Sequence, residues 1–238
     1  VESAHQRMHH LVADSEWSDG ALLTAVAGMV APVLVRGGPC YWIIDDTGMR
    51  KYGKHSVGVA RQYCGHLGKT ENCQVAVSLS LATLEGSLPL AWRLYLPREW
   101  ADDVKRCRAA GVPDAVGFAT KGALAWEQIE AALAAGVPQG IVLADAGYGD
   151  DAAFRDKLDA RGISYAVGIR EATKVWWGAH QPAPVAVHPR GRPRERVKRD
   201  AAHQPISVLD LARALPAGAY RTLTWREGTN GRLASRFA

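Results

Sequence analysis

Between Cys73 and Leu81 every second residue is apolar: Cys73, Val75, Val77, Leu79 and Leu81 alternate with Gln74, Ala76, Ser78 and Ser80. A period of two is the signature of a strand with one face turned to a core. Ahead of it, Cys40 to about Asp46 (CYWIIDD) is a short apolar run that follows Arg36, Gly37, Gly38 and Pro39, as a buried strand follows a break in the chain. From Lys121 the spacing becomes helical. LAWEQIEAALAAG sets Leu124, Ile129 and Leu133 on one face and stops at Gly136, a C-cap signal. GIVLADAGYG then gives a second short apolar run, DDAAFRDKLDARG a helix that Asp150 can cap, and SYAVGIR a third buried strand. Antiparallel strands followed by helix, strand, helix, strand confine the chain to the α/β class.

The flanks are less constrained. Residues 1–36 carry helical spacing at Met8, Leu11 and Val12, then at Leu22, Leu23, Val26, Met29 and Val30, with Asp14, Ser15 or Ser18 available as caps between two helices. Leu88 to Leu96 is a further apolar run, a strand or an edge extension. From Ala172 to about Ser207 the chain is rich in Pro, Arg, Gly and Trp and lacks periodicity, as an insertion or long loop does. SVLDLARAL at 207–215 predicts a short helix and YRTLTWREG a strand; no internal repeat is visible.

A chain of 238 residues with 47% apolar content can bury a sizeable core. No window approaches eighteen uninterrupted apolar residues, and VESAHQRMHH lacks the charged-then-apolar pattern of a secretory signal, so the expectation is a soluble intracellular chain. Cys40, Cys64, Cys73 and Cys107 are widely spaced without a C-x-x-C pair, which predicts reduced thiols, partly in the core. A start at Val1 and a stop at SRFA lead us to expect a piece of a longer protein.

The charge is unevenly placed. HPRGRPRERVKR, residues 188–199, holds Arg190, Arg192, Arg194, Arg196, Lys198 and Arg199 against Glu195. Removing those six bases and one acid from the 29 basic and 24 acidic residues leaves 23 of each, so this segment carries the whole net charge of +5. Such a block favours a polyanion, nucleic acid being the usual one; a basic loop kept for solubility is the plainer reading.

Asp45 or Asp46 ends one apolar run and Asp145 another, at the position where open α/β sheets place their sites. If the two strands are adjacent and parallel, the carboxylates converge. Two close carboxylates repel unless something positive lies between them. Hard oxygens suit Mg²⁺ or Mn²⁺, and two such ions about 3.5–4 Å apart can activate an attacking oxygen and stabilise a leaving one in a phosphodiester. Strand alternation lets only one of Asp45 and Asp46 face that site. The alternative role for either aspartate is to cap a turn or helix. A haloacid-dehalogenase-like phosphatase needs a second Asp two positions after the first, and Thr47 and Gly48 stand there instead.

These residues carry a resemblance. WIIDDTGMRKYGKHSVGVARQYCGHLGKTENCQVAVSLSLA, LPLAWRLYLP, AAGVP, LADAGYGDDAAFR and TWREGTNGRLASRFA resemble the DDE-type transposases of bacterial insertion sequences, in the branch with a DDE superfamily endonuclease domain. The resemblance runs along almost the whole chain. It implies a ribonuclease-H-like mixed sheet flanked by helices, with N-terminal helices and a basic insertion. The expected parts are a helical region at 1–38, the first part of the catalytic core at 39–171, and the insertion with a following strand region at 172–238, the core being incomplete at its C-terminal side. The family places its first metal ligand just before a Thr, which is Asp46 here, and its second maps to Asp145. Its third acid is a Glu on a downstream helix; Glu171, Glu195 and Glu227 are the glutamates after Asp145, and none sits in a convincing amphipathic helix.

The implied activity is cleavage of double-stranded DNA at terminal inverted repeats in Mg²⁺ or Mn²⁺ at a two-metal site, then strand transfer to target DNA, by a homodimer in the bacterial cytoplasm. The 238-residue piece alone is expected to be inactive for lack of the third acid. A non-catalytic DNA-binding remnant of a degenerate element is the alternative. For DNA contacts, Arg190 to Pro193 spell RGRP, the core of the AT-hook, within the basic segment. Lys51, Lys54 and His55 follow the first aspartate and can hold phosphates or be solvated turn residues. Trp176 and Trp177 can stack on a base or pack the insertion. His5, His9 and His10 share no spacing that demands a metal and belong to a helical DNA-binding or dimer region.

Overall fold

The structure is a computed structural model that describes residues 3–183, 200–229 and 231–238. The basic segment singled out above, including Arg190, Arg192, Arg194, Arg196, Lys198 and Arg199, lies outside the described residues. By compactness the chain divides into two units, Val1–Gly168 and Ile169–Ala238.

In the first unit α1 (Ala4–Ala13) and α2 (Asp19–Leu34) precede β1 (Tyr41–Arg50), β2 (Ala60–Cys64), β3 (Lys69–Ala82) and β4 (Ser87–Leu94). Then come α3 (Arg98–Ala101), α4 (Val104–Ala109), α5 (Lys121–Ala134), β5 (Ile141–Ala144), α6 (Ala146–Gly149), α7 (Ala152–Ala160) and β6 (Tyr165–Val167). The strands form one mixed sheet in the order β2-β3-β1-β5-β6, and β4 lies on the same edge of β3 as β2. β1 is antiparallel to β3 and parallel to β5, which is parallel to β6. That is the ribonuclease-H-like arrangement.

Helices cover the face of the sheet that carries Trp42, Ile44, Val77, Leu79 and Val142. Leu124, Ala125 and Ile129 of α5 and Phe154 and Leu158 of α7 complete that core. Fully burying a side chain of this size is worth about 1.5–3 kcal/mol, so this layer fixes which way each strand faces. On the other face of β1, Ile43 and Asp45 are exposed. The alternation read from Cys73 to Leu81 holds, and Ala76 and Ser78 between those residues are buried as well.

The N-terminal helices differ from their expected faces. Ser18 does cap α2, accepting from Ala21 N. Yet Leu22 and Met29 are exposed; Ala27 and Ala31 are the residues that bury, with Val26, Val30 and Leu34 half-buried beside them. α2 is apolar on all sides, so spacing alone does not choose its packed stripe. By length and composition Asp19–Gly37 would suffice to cross a membrane. Met8 and Leu11 of α1 are exposed too.

Two other local expectations change. β1 runs on to Arg50, because the 14-residue β3 pairs it through Arg50↔Cys73. α7 is capped by Asp151 in place of Asp150, through Phe154 N at 3.2 Å.

In the second unit β7 (Lys174–Val175) pairs with β8 (Ile206–Ser207), and Ser207 caps α8 (Val208–Ala214). β9 (Arg221–Gly228) and β10 (Gly231–Phe237) form an antiparallel hairpin with a register shift at Leu233/Ala234. Trp177 is exposed beside an isolated bridge to His180.

Candidate active site

Pairing between β1 and β5 stops at Ile44↔Ala144, one residue short of Asp45 and Asp145. Asp45, Asp46 and Asp145 therefore lie where the parallel pair ends, while β1 continues against β3. The alternation separates the first two. Asp46 shares the face of Trp42 and Ile44 and is one-third exposed, whereas Asp45 follows Ile43 onto the open face, where its Oδ1 accepts from Asp46 N at 2.8 Å.

Both oxygens of Asp46 are engaged. Tyr148 Oη donates to Oδ1 at 2.6 Å, and Lys121 Nζ donates to Oδ2 at 2.5 Å. Tyr148 comes from α6, is 2% exposed and meets Phe154 edge-on at 6.1 Å. Burial first, then the bond to Asp46 and the charges of Asp46, Asp145 and Asp45, raise its phenol well above the ordinary tyrosine value. It stays a donor throughout the physiological range. Lys121 opens α5 behind the cap Thr120, and its ammonium also lies 5.5 Å from the centre of the Tyr95 ring.

Asp145 is exposed and caps α6, its Oδ1 accepting from Gly147 N at 2.8 Å; Oδ2 receives no hydrogen bond among the described residues. Two glycines let α6 sit this close to the sheet. A Cβ on Gly149 would lie 1.8 Å from the carbonyl oxygen of Gly168, and one on Gly168 would lie 2.9 Å from Ala146 N. The Arg155 guanidinium bonds the carbonyl of Gly149 and closes the turn from below.

A divalent cation fits this donor set in kind. Mg²⁺ is commonly held by one or two carboxylates, with water and substrate phosphate filling its other positions. Asp46 and Asp145 offer two hard carboxylates at one sheet edge, and no group of three His, Cys, Asp or Glu side chains gathers among the described residues. Glu227 lies in β9 and pairs with Arg232 at 3.3 Å, and Glu171 precedes β7. Lys121 and Tyr148 are the site residues that sequence reasoning missed. Tyr148 stood three positions after Asp145 in LADAGYG, but Lys121 left no signal, since it reaches Asp46 only across 75 residues of sequence.

Lys51 and Lys54 lie beyond β1 on a turn that is pinned by its backbone. Asn72 Nδ2 donates to the carbonyls of Lys51 and Gly53 at 2.8 and 2.9 Å, and an Arg106 nitrogen to that of Lys54 at 2.9 Å. Arg106 itself lies 3.7 Å over the buried Trp100 ring.

Residues 1–232 match the family model of the DDE superfamily endonucleases. The chain is also 34% identical over 166 residues to a protein described as a probable transposase for insertion sequence element IS701, from Microchaete diplosiphon. That match covers 69% of this chain and 40% of the relative.

Proposed function

The chain belongs to the DDE superfamily endonucleases, and on that premise we propose that it is catalytic core of an insertion-sequence transposase in which Asp46 and Asp145 hold the divalent metal for DNA cleavage. The parallel pairing of β1 and β5 carries this reading, because it ends where both carboxylates emerge at one edge. Proteins of this family bind DNA and generally use divalent metals. In the complete protein a downstream glutamate would join the pair, and two ions would be held for cleavage of terminal inverted repeats and strand transfer, by a dimer working in the cytoplasm. The basic insertion with its following strand region at 172–238 and the helical region at 1–38 would serve DNA binding and pairing around the core at 39–171.

When bound, the metal supplies an activated oxygen nucleophile and neutralises charge on the phosphate. The chain's own residues prepare for that. Tyr148 fixes one oxygen of Asp46, so the carboxylate need not reorient. Gly149 and Gly168 bring the turn bearing Asp145 against the end of β6. Asp45 points to the opposite face and takes no part.

The test is cleavage of terminal inverted repeats by the complete protein in Mg²⁺. Asp46→Ala and Asp145→Ala should abolish it, and Asp45→Ala should leave it. Undiminished cleavage by either of the first two would refute the assignment.

A further inference from the structure

Lys121 stands where helix stability does not ask for it. A cation in the first turn of a helix opposes the helix dipole, and α5 already has its cap in Thr120, which accepts from Ala123 N at 3.1 Å. Instead the side chain reaches from α5 to β1 and places its ammonium 2.5 Å from Asp46 Oδ2. With Tyr148 on Oδ1, Asp46 offers no oxygen without a protein donor. The tyrosine is neutral and can share its oxygen with a cation, since each carboxylate oxygen has two acceptor sites. The ammonium cannot, because its charge repels the metal. The pair is also accessible: the two side chains are 34% and 32% exposed, and a lysine stem is long enough to swing its head to water.

We propose that Lys121 is a resident counter-ion that holds the Asp46 carboxylate closed to divalent cations until its ammonium is displaced, so that this lysine sets the metal affinity of the site. The proposal rests on the reading of Asp46 as a metal ligand. Lys121 acts through Asp46 and is a positioning residue: it keeps the carboxylate neutralised and aligned while the metal is absent.

The experiment is a Mn²⁺ titration of this chain, read as paramagnetic broadening of the backbone amide signals around Asp46 and Asp145. Lys121→Met keeps the length of the stem and removes the charge. Taking away one like charge this close to the cation should move the midpoint to about tenfold lower Mn²⁺. Lys121→Gln should move it in the same direction, and Lys121→Arg should return it toward wild type. A merely structural lysine gives the opposite pattern, since damage to the site weakens binding. An unchanged or higher midpoint in Lys121→Met and Lys121→Gln, or no broadening in either, overturns the proposal. Asp46→Asn separates the two readings: if it broadens as the wild type does, Asp46 is not a ligand; if it loses broadening while Lys121→Met stays at the wild-type midpoint, only the role of Lys121 falls.

Discussion

The Tyr148 hydroxyl donates to Asp46 Oδ1 at 2.6 Å across 102 residues of sequence, tying the strand that carries one carboxylate to the turn that carries the other. Hydrogen bonds to charged groups are worth about 1.5–3 kcal/mol, and water can replace part of this one because Asp46 is one-third exposed. Tyr148→Phe keeps the buried ring on Phe154. It should therefore cost about 1–2 kcal/mol, measured as a lower urea midpoint with an unchanged slope. A variant as stable as the wild type would mean that the bond contributes nothing net.

Gly149 allows the close approach of α6 to the end of β6, where an added methyl would lie 1.8 Å from the Gly168 oxygen. Backbone must move to admit it, and overpacking of this kind costs about 1–3 kcal/mol. Gly149→Ala should lower the melting temperature, whereas Gly53→Ala, with nothing within 4 Å of the new carbon, should not. The two melts together distinguish a packing clash from the general effect of replacing glycine.

Cys40, Cys64, Cys73 and Cys107 are all buried thiols. Burial, and after it the neighbouring Cys64, push the Cys73 thiol above its ordinary value, and the thiolate is the reactive form. At pH 8 a disulfide reagent should leave the native chain nearly unmodified and titrate four thiols once urea unfolds it. Rapid modification of Cys73 in buffer would show that β2 opens away from β3.

What the sequence disclosed followed from the range of each interaction. The Cys73–Leu81 alternation and the α5 spacing are local patterns, and both elements formed as read. The pattern also said that only one of Asp45 and Asp46 could face the site; which one depends on Trp42 and Ile44 meeting α5 and α7, a tertiary matter. Four-residue helices such as α3 and α6 are too short to show a period. β10 was missed, and it buries no face that would impose one. Lys121 and Tyr148 meet Asp46 only after the chain has crossed 75 and 102 residues, a distance over which spacing carries no information.

Lys51 and Lys54 remain the described candidates for phosphate contact, and their turn lends itself to a quantitative test. Asn72 and Arg106 bind its carbonyls, not its ammonium groups. Each lysine that neutralises a phosphate of duplex DNA contributes about 0.9 to the slope of log affinity against log salt. Lys51→Ala and Lys54→Ala should each flatten that slope by about 0.9 if the side chain meets the backbone, read from gel shifts on a random duplex at several salt concentrations. Asn72→Ala changes no charge but frees the turn, so it should weaken binding while leaving the slope as it was. An unchanged slope in both lysine variants would make them solvated turn residues and leave DNA binding to other parts of the chain.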